Sequence, residues 1–147
     1  MKKLLFILLL SVSSYSQIKI DDIGDNWKGK IQAALELIKT HDTISYNMVI
    51  KNCKYITFWV ADFSSTQDSS TILVSVKDIK LNSINNLACV LVHESYHLNI
   101  LHKNIKYSLN EEESICYNYE YSFLMKLPNV EPWLKEHTIK MINYYHS

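Results

Sequence analysis

The chain contains no arginine. All fifteen of its basic residues are lysine, and fifteen acidic residues balance them to a formal charge of zero. A nucleic-acid groove relies on a positive excess and on guanidinium forks, so nucleic acid is not expected as a partner. Glycine and proline number only two each, against ten tyrosines. That scarcity excludes a linker-like or low-complexity chain, and no internal repeat is visible. Three cysteines, Cys53, Cys89 and Cys116, cannot all pair with one another. Cys89 and Cys116 sit in apolar helical patterns and read as small buried hydrophobes. A bridge between those two is the minority alternative.

Long apolar runs are missing except at the start, MKKLLFILLLSVSSYSQ. Lys2 and Lys3 precede the apolar run Leu4–Leu10, which is too short to span a bilayer. Small polar residues follow, with Ser14 and Ser16 placed for cleavage before Gln17. This order is that of a signal peptide over residues 1–16. The expected mature chain, residues 17–147, is then exported, secreted or periplasmic, with no stable membrane anchor after signal removal. No cysteine closely follows the run, so a lipid anchor is not suggested.

What the chain does have is apolar content, 48% of 147 residues, enough to build the core of one domain. DNWKGKIQAALELIK, at 25–39, has helical spacing, with Trp27, Ile31, Leu35 and Ile38 on one face. YNMVI at 46–50, YITFWVADF at 55–63 and TILVSV at 71–76 are rich in β-branched and aromatic residues and read as strands. SSTQDSS at 64–70 reads as a hairpin loop. Asn82 or Ser83 is a candidate cap for a helix running to about Leu101 or His102. A third helix is expected from about Glu111 to Leu127, ended by Pro128. Pro132 opens a last one, as suits proline in a first turn. The expected class is α+β: an N-terminal helix, a small, mainly antiparallel sheet, then three helices.

The second of these helices poses the question of function. Residues 87–102 read LACVLVHESYHLNILH. Their apolar residues cover most of a helical wheel, so the helix is expected to be packed on several sides. Within it stand His93, Glu94 and His97. An unpaired buried carboxylate costs several kcal/mol, so these side chains should have partners. On a helix, residues four apart share a face, so His93 and His97 can hold one ion, with Glu94 beside them to address a water. HExxH arises by chance in roughly one chain in a hundred of such composition, but the mid-helix, apolar setting lowers that risk.

Catalytic zinc takes three protein ligands and one open position. His102 does not fit the metzincin pattern HExxHxxGxxH, which would need glycine at Ile100 and histidine at Lys103. Cys53 stands where peptide deformylases have an upstream cysteine, but the glycine-rich segments of that family are absent. NEEESICYNYE, at 110–120, offers glutamates on the next helix. They need no metal to explain them, since Asn110 or Ser108 could cap that helix with Glu113 or Glu111 closing the box. Glu112 lies nearer the centre of the stripe Ile115, Tyr119, Phe123, and Glu113 shares its edge with Cys116 and Glu120.

With LACVLVHESYH, the E-x-x-C-Y of Glu113 to Tyr117 and the order of elements, the chain resembles the gluzincin metallopeptidases, above all the compact minigluzincins. The resemblance implies a zincin-like fold over nearly all of residues 17–147. It implies zinc held by His93, His97 and Glu113, with Glu112 as the alternative third ligand. Thermolysin-like members have an aspartate four residues after the ligand glutamate, where this chain has Tyr117. An open sheet edge that holds substrate in extended form is also implied, with 70–76 as its candidate. The expected activity is hydrolysis of peptide bonds in a peptide or protein substrate, with Glu94 as general base. The alternatives are a secreted metal-binding or inhibitory module that does not turn over, and a structural protein whose histidines only fill the core.

Overall fold

The computed structural model of the chain describes residues 17–81 and 83–146. The signal segment expected over residues 1–16 lies outside them, as does Asn82. In chain order the elements are β1 (Lys19–Ile20), α1 (Trp27–His41), α2 (Thr43–Asn52), β2 (Tyr55–Trp59), β3 (Ser65–Thr66), β4 (Thr71–Ser75), α3 (Val76–Lys80), α4 (Ile84–His102), α5 (Leu109–Leu124) and α6 (Pro132–Tyr145). The class is α+β, mostly helical, with one small mixed sheet. No helix among the described residues is long and apolar enough to cross a membrane.

α4 is the central element and packs against α1, α2 and α5. Leu87, Ala88, Leu91, Val92 and Leu98 of α4 meet Ile31, Ala34 and Ile38 of α1 and Val49 of α2 in one core. α6 closes the other side by packing on α5. Both glycines sit where a side chain would not fit. Gly24 has φ +74° under the Trp27 ring, and a Cβ on Gly29 would lie 2.2 Å from the Asn26 side chain.

Four expectations fail here. YNMVI is not a strand but the middle of α2. Asp42 caps that helix through the Ser45 amide, and Ser45, Val49 and Asn52 recur at helical spacing on its buried face. Tertiary packing on α4 overrides the β-branched content of so short a segment. Nor is the sheet mainly antiparallel. Its order is β1-β2-β4-β3, with β1–β2 and β2–β4 parallel and only β3–β4 antiparallel. The segment read as a hairpin loop contains β3 itself. The turn after it is tied by Asp68, whose carboxylate accepts from the Ser70 amide and the Thr71 hydroxyl. β4 therefore inserts between β2 and β3. The free edge beside α4 is β3, not the interior segment 70–76.

Asp42 also ties α2 to the end of α5. Its carboxylate accepts from the Ser45 hydroxyl and from Lys126, both at 2.7 Å. Burial alone would raise its pKa, but these partners outweigh burial and lower it. The contribution of Asp42 is thus present above the ordinary value of 3.8 and is lost as pH falls through the lowered one. Asp42→Ala removes a cap and the carboxylate that accepts from the Ser45 hydroxyl and Lys126, so it should destabilise the fold by about 1–3 kcal/mol at neutral pH. In denaturant melts the difference from the parent should narrow on strong acidification.

Candidate metal centre

Ser83 caps α4 through the Asn86 amide. From there the helix runs through apolar residues to His93 and His97, one turn apart. Their Nε2 atoms face each other at 3.2 Å. α5 begins with a capping box in which the Ser108 hydroxyl accepts from the Glu111 amide and the Glu111 carboxylate accepts from the Ser108 amide. The box takes Glu111 and leaves the next two glutamates free to turn towards α4.

Each does so in a different way. The Glu113 carboxylate lies with one oxygen 3.4 Å from His93 Nε2 and the other 3.5 Å from His97 Nε2. Glu112 accepts from His97 Nδ1 at 2.6 Å. Glu120, two turns beyond Glu113, accepts from His93 Nδ1 at 3.0 Å. Thr138 of α6 donates to the other Glu120 oxygen at 2.9 Å. Both imidazoles thus have carboxylates on Nδ1, so each Nδ1 carries a hydrogen. In the neutral rings both Nε2 lone pairs then point at each other and at Glu113. That cluster of electron pairs calls for a cation or a proton at its centre. Burial alone would lower the His93 pKa. Its hydrogen bonds to Glu113 and Glu120 and the charge of Glu94 outweigh burial and push it up to about 10.

Cys116 is a further donor. The buried group His93, His97 and Cys116 has ligand atoms all within 4.8 Å of one another and could hold a metal ion. Burial raises the pKa of the Cys116 thiol strongly, and the charges of Glu113, Glu112, Glu94 and Glu120 raise it further. A thiol ligates as its thiolate, so a cation bound there would have to draw the proton off against that burial and those charges.

Glu94 is buried, and its carboxylate has no hydrogen-bond partner among the described residues. Burial pushes its pKa up to about 7, with Glu113, Glu120 and Asp78 adding to the rise and His93 opposing it. A carboxylate tuned to neutrality suits general acid–base work. These groups open into a cleft of about 900 Å³ between β3, α4, α5 and α6. Tyr117 packs edge-on against the His93 ring at 4.3 Å between centroids and lines the same cleft.

The other donors considered from sequence lie elsewhere. His102 Nδ1 meets Asn52 Oδ1 at 2.9 Å, and its Nε2 meets the Ser69 carbonyl at 2.5 Å, which fixes the end of α4 to the β3–β4 turn. Cys53 is buried, and its Sγ contacts the Tyr55 carbonyl. All three cysteines are free. The roles of Glu120 and Thr138 depend on contacts between helices. A signal for Glu120 was present, because it shares an edge with Glu113 and Cys116 at helical spacing.

No family model matches the chain, and no curated protein and no solved structure matches it either.

An outer partner that fixes a ligand imidazole typically changes metal affinity about 10–100-fold. Glu120→Ala should therefore weaken metal binding by that order, read by competition with a chromophoric chelator. Unchanged affinity would mean that His93 needs no such support.

Proposed function

We propose that the protein is an exported zinc metallopeptidase of gluzincin type, with His93, His97 and Glu113 as metal ligands and Glu94 as general base. One observation carries this reading: two Nε2 atoms 3.2 Å apart, with Glu113 oxygens 3.4 and 3.5 Å from them. Ligands at about 2.0–2.1 Å from a tetrahedral zinc lie roughly 3.3–3.4 Å apart, so the donor set fits that ion without rearrangement. Two imidazoles and a carboxylate are also the donors of catalytic rather than structural zinc. Bound there, zinc would supply Lewis acidity, making a water more acidic and polarising a carbonyl.

The chain's own residues do the rest. Glu120 and Glu112 hold the Nδ1 hydrogens and so aim both Nε2 atoms into the cleft. Glu94 accepts a proton from water at a carboxylate oxygen and returns it to the departing amine. The apolar faces of α4 and the Tyr117 ring shield the histidines from bulk water. Ser65 and Thr66 of the edge strand β3 line the same cleft. An extended peptide can pair with that edge, which supports a peptide substrate over a small molecule.

The test is metal analysis together with a peptidase assay on the chain from Gln17. About one zinc per chain is expected, as the donor count suggests. Hydrolysis of a mixed peptide pool should be lost on chelation and restored by zinc. A zinc-loaded chain that cuts no peptide would instead be the inactive metal-binding module.

A further inference from the structure

The charge of the cleft is lopsided. Asp62, Asp78, Glu94, Glu112, Glu113 and Glu120 line it, against one lysine among the described residues, Lys77. Lys77 Nζ already sits 3.7 Å from Asp62. Glu112, Glu113 and Glu120 face the two imidazoles, but Asp78 has only neutral partners, the Ser64 hydroxyl and the Asn86 amide. Set against six carboxylates, one lysine and a divalent ion leave three negative charges unbalanced. Counting Glu94 as neutral still leaves two. The field over the cleft is therefore negative even with metal bound.

The rim has a second character. Phe63, Leu81, Leu109 and Trp133 all line the cleft and are 62%, 52%, 73% and 43% exposed. Large apolar faces beside carboxylates match lysine and arginine side chains. Their aliphatic stems lie on apolar surface, their heads reach carboxylates, and aromatic faces attract the cation. A free C-terminal carboxylate, by contrast, finds no arginine in the chain and only a lysine already paired.

From this juxtaposition of a negative cleft, an apolar rim and the open edge of β3, and resting on the peptidase reading, we propose that the substrate is a cationic peptide segment. It lies extended along β3 with lysine or arginine and large apolar side chains beside the metal. It is cut internally rather than trimmed from its C-terminus.

The test uses zinc-loaded Glu94→Gln protein and a matched pair of extended peptides. Both carry the same aromatic and aliphatic residues, and one has lysine where the other has glutamate. The lysine peptide should bind on the order of tenfold tighter or more at low salt. That ratio should fall several-fold by physiological ionic strength, because the Debye length shortens to about 8 Å. Asp62→Lys in the same background, at an exposed rim position, should shrink it further. Equal affinities, a preference for glutamate, or a ratio unmoved by both salt and Asp62→Lys would overturn the proposal. The parent enzyme then separates this inference from the peptidase reading. Internal cleavage of the lysine peptide supports both. Cleavage favouring the glutamate peptide, or stepwise loss of C-terminal residues, overturns the inference and leaves the peptidase. Selective binding of the lysine peptide with neither peptide cut supports the cation-selective cleft and overturns the peptidase.

Discussion

Glu94→Gln protein should bind zinc as the parent does and hydrolyse peptides about 10²–10⁴-fold more slowly, the usual contribution of a positioned general base. The amide keeps the size and polarity of the carboxylate but cannot accept a proton. The neighbours of Glu94 make the substitution clean. Its carboxylate has no hydrogen-bond partner among the described residues, so no fixed network collapses when it is lost. It also carries charge in a site where burial and neighbouring carboxylates oppose that charge, with a pKa pushed up to about 7. Removing the charge should leave the fold at least as stable, and thermal melts of the metal-free proteins would show this. The two readouts locate any error. Zinc lost together with activity would make Glu94 a ligand. Activity retained would place the base elsewhere in the cleft.

The parts of this centre that sequence could show are those that lie within one helix. His93, Glu94 and His97 are fixed relative to one another by α-helical geometry alone, and the unbroken apolar setting from Leu87 to Val92 already implied that α4 is buried. The capping box that sets the register of α5 was also visible as a choice, Ser108 with Glu111 or Asn110 with Glu113. What was not visible depends on chain crossings. A residue's partner across two helices is set by interaxial packing, and nothing local distinguishes Glu112 aimed at Nδ1 of His97 from Glu113 aimed at the Nε2 atoms. The sheet failed for the same kind of reason. TILVS and YITFW look alike whether they pair parallel or antiparallel. A two-residue edge strand hidden in SSTQDSS decides which it is, and so decides which backbone edge borders the cleft. α2 reads as a strand when β-branched content is weighed over the capping aspartate that precedes it.

Glu113→Gln should release zinc, with a loss of affinity beyond the roughly 10–100-fold that removing an outer partner costs. Activity should fall with it, since the ion and its chemistry leave together. Three other variants turn this into a test of register. Glu112→Gln leaves an amide oxygen that can still accept from His97 Nδ1, but it removes the charge that strengthens that 2.6 Å bond. It should weaken zinc by about tenfold, at the low end for an outer partner. His97→Ala removes a proposed ligand outright, so metal should be lost and the melting temperature of the zinc-loaded sample should fall to that of the metal-free one, because bound metal stabilises only the native state. Cys116→Ser tests the rival third ligand, since its sulfur belongs to the same buried group. With Glu113 as ligand, serine there leaves zinc affinity nearly unchanged. Cobalt in place of zinc gives a direct optical check, because thiolate ligation adds an intense near-ultraviolet charge-transfer band that carboxylate ligation lacks. A cobalt protein with that band, or zinc lost in Cys116→Ser but kept in Glu113→Gln, would make the centre a two-histidine, one-cysteine site. Glu113 would then be a carboxylate free to act on water beside Glu94.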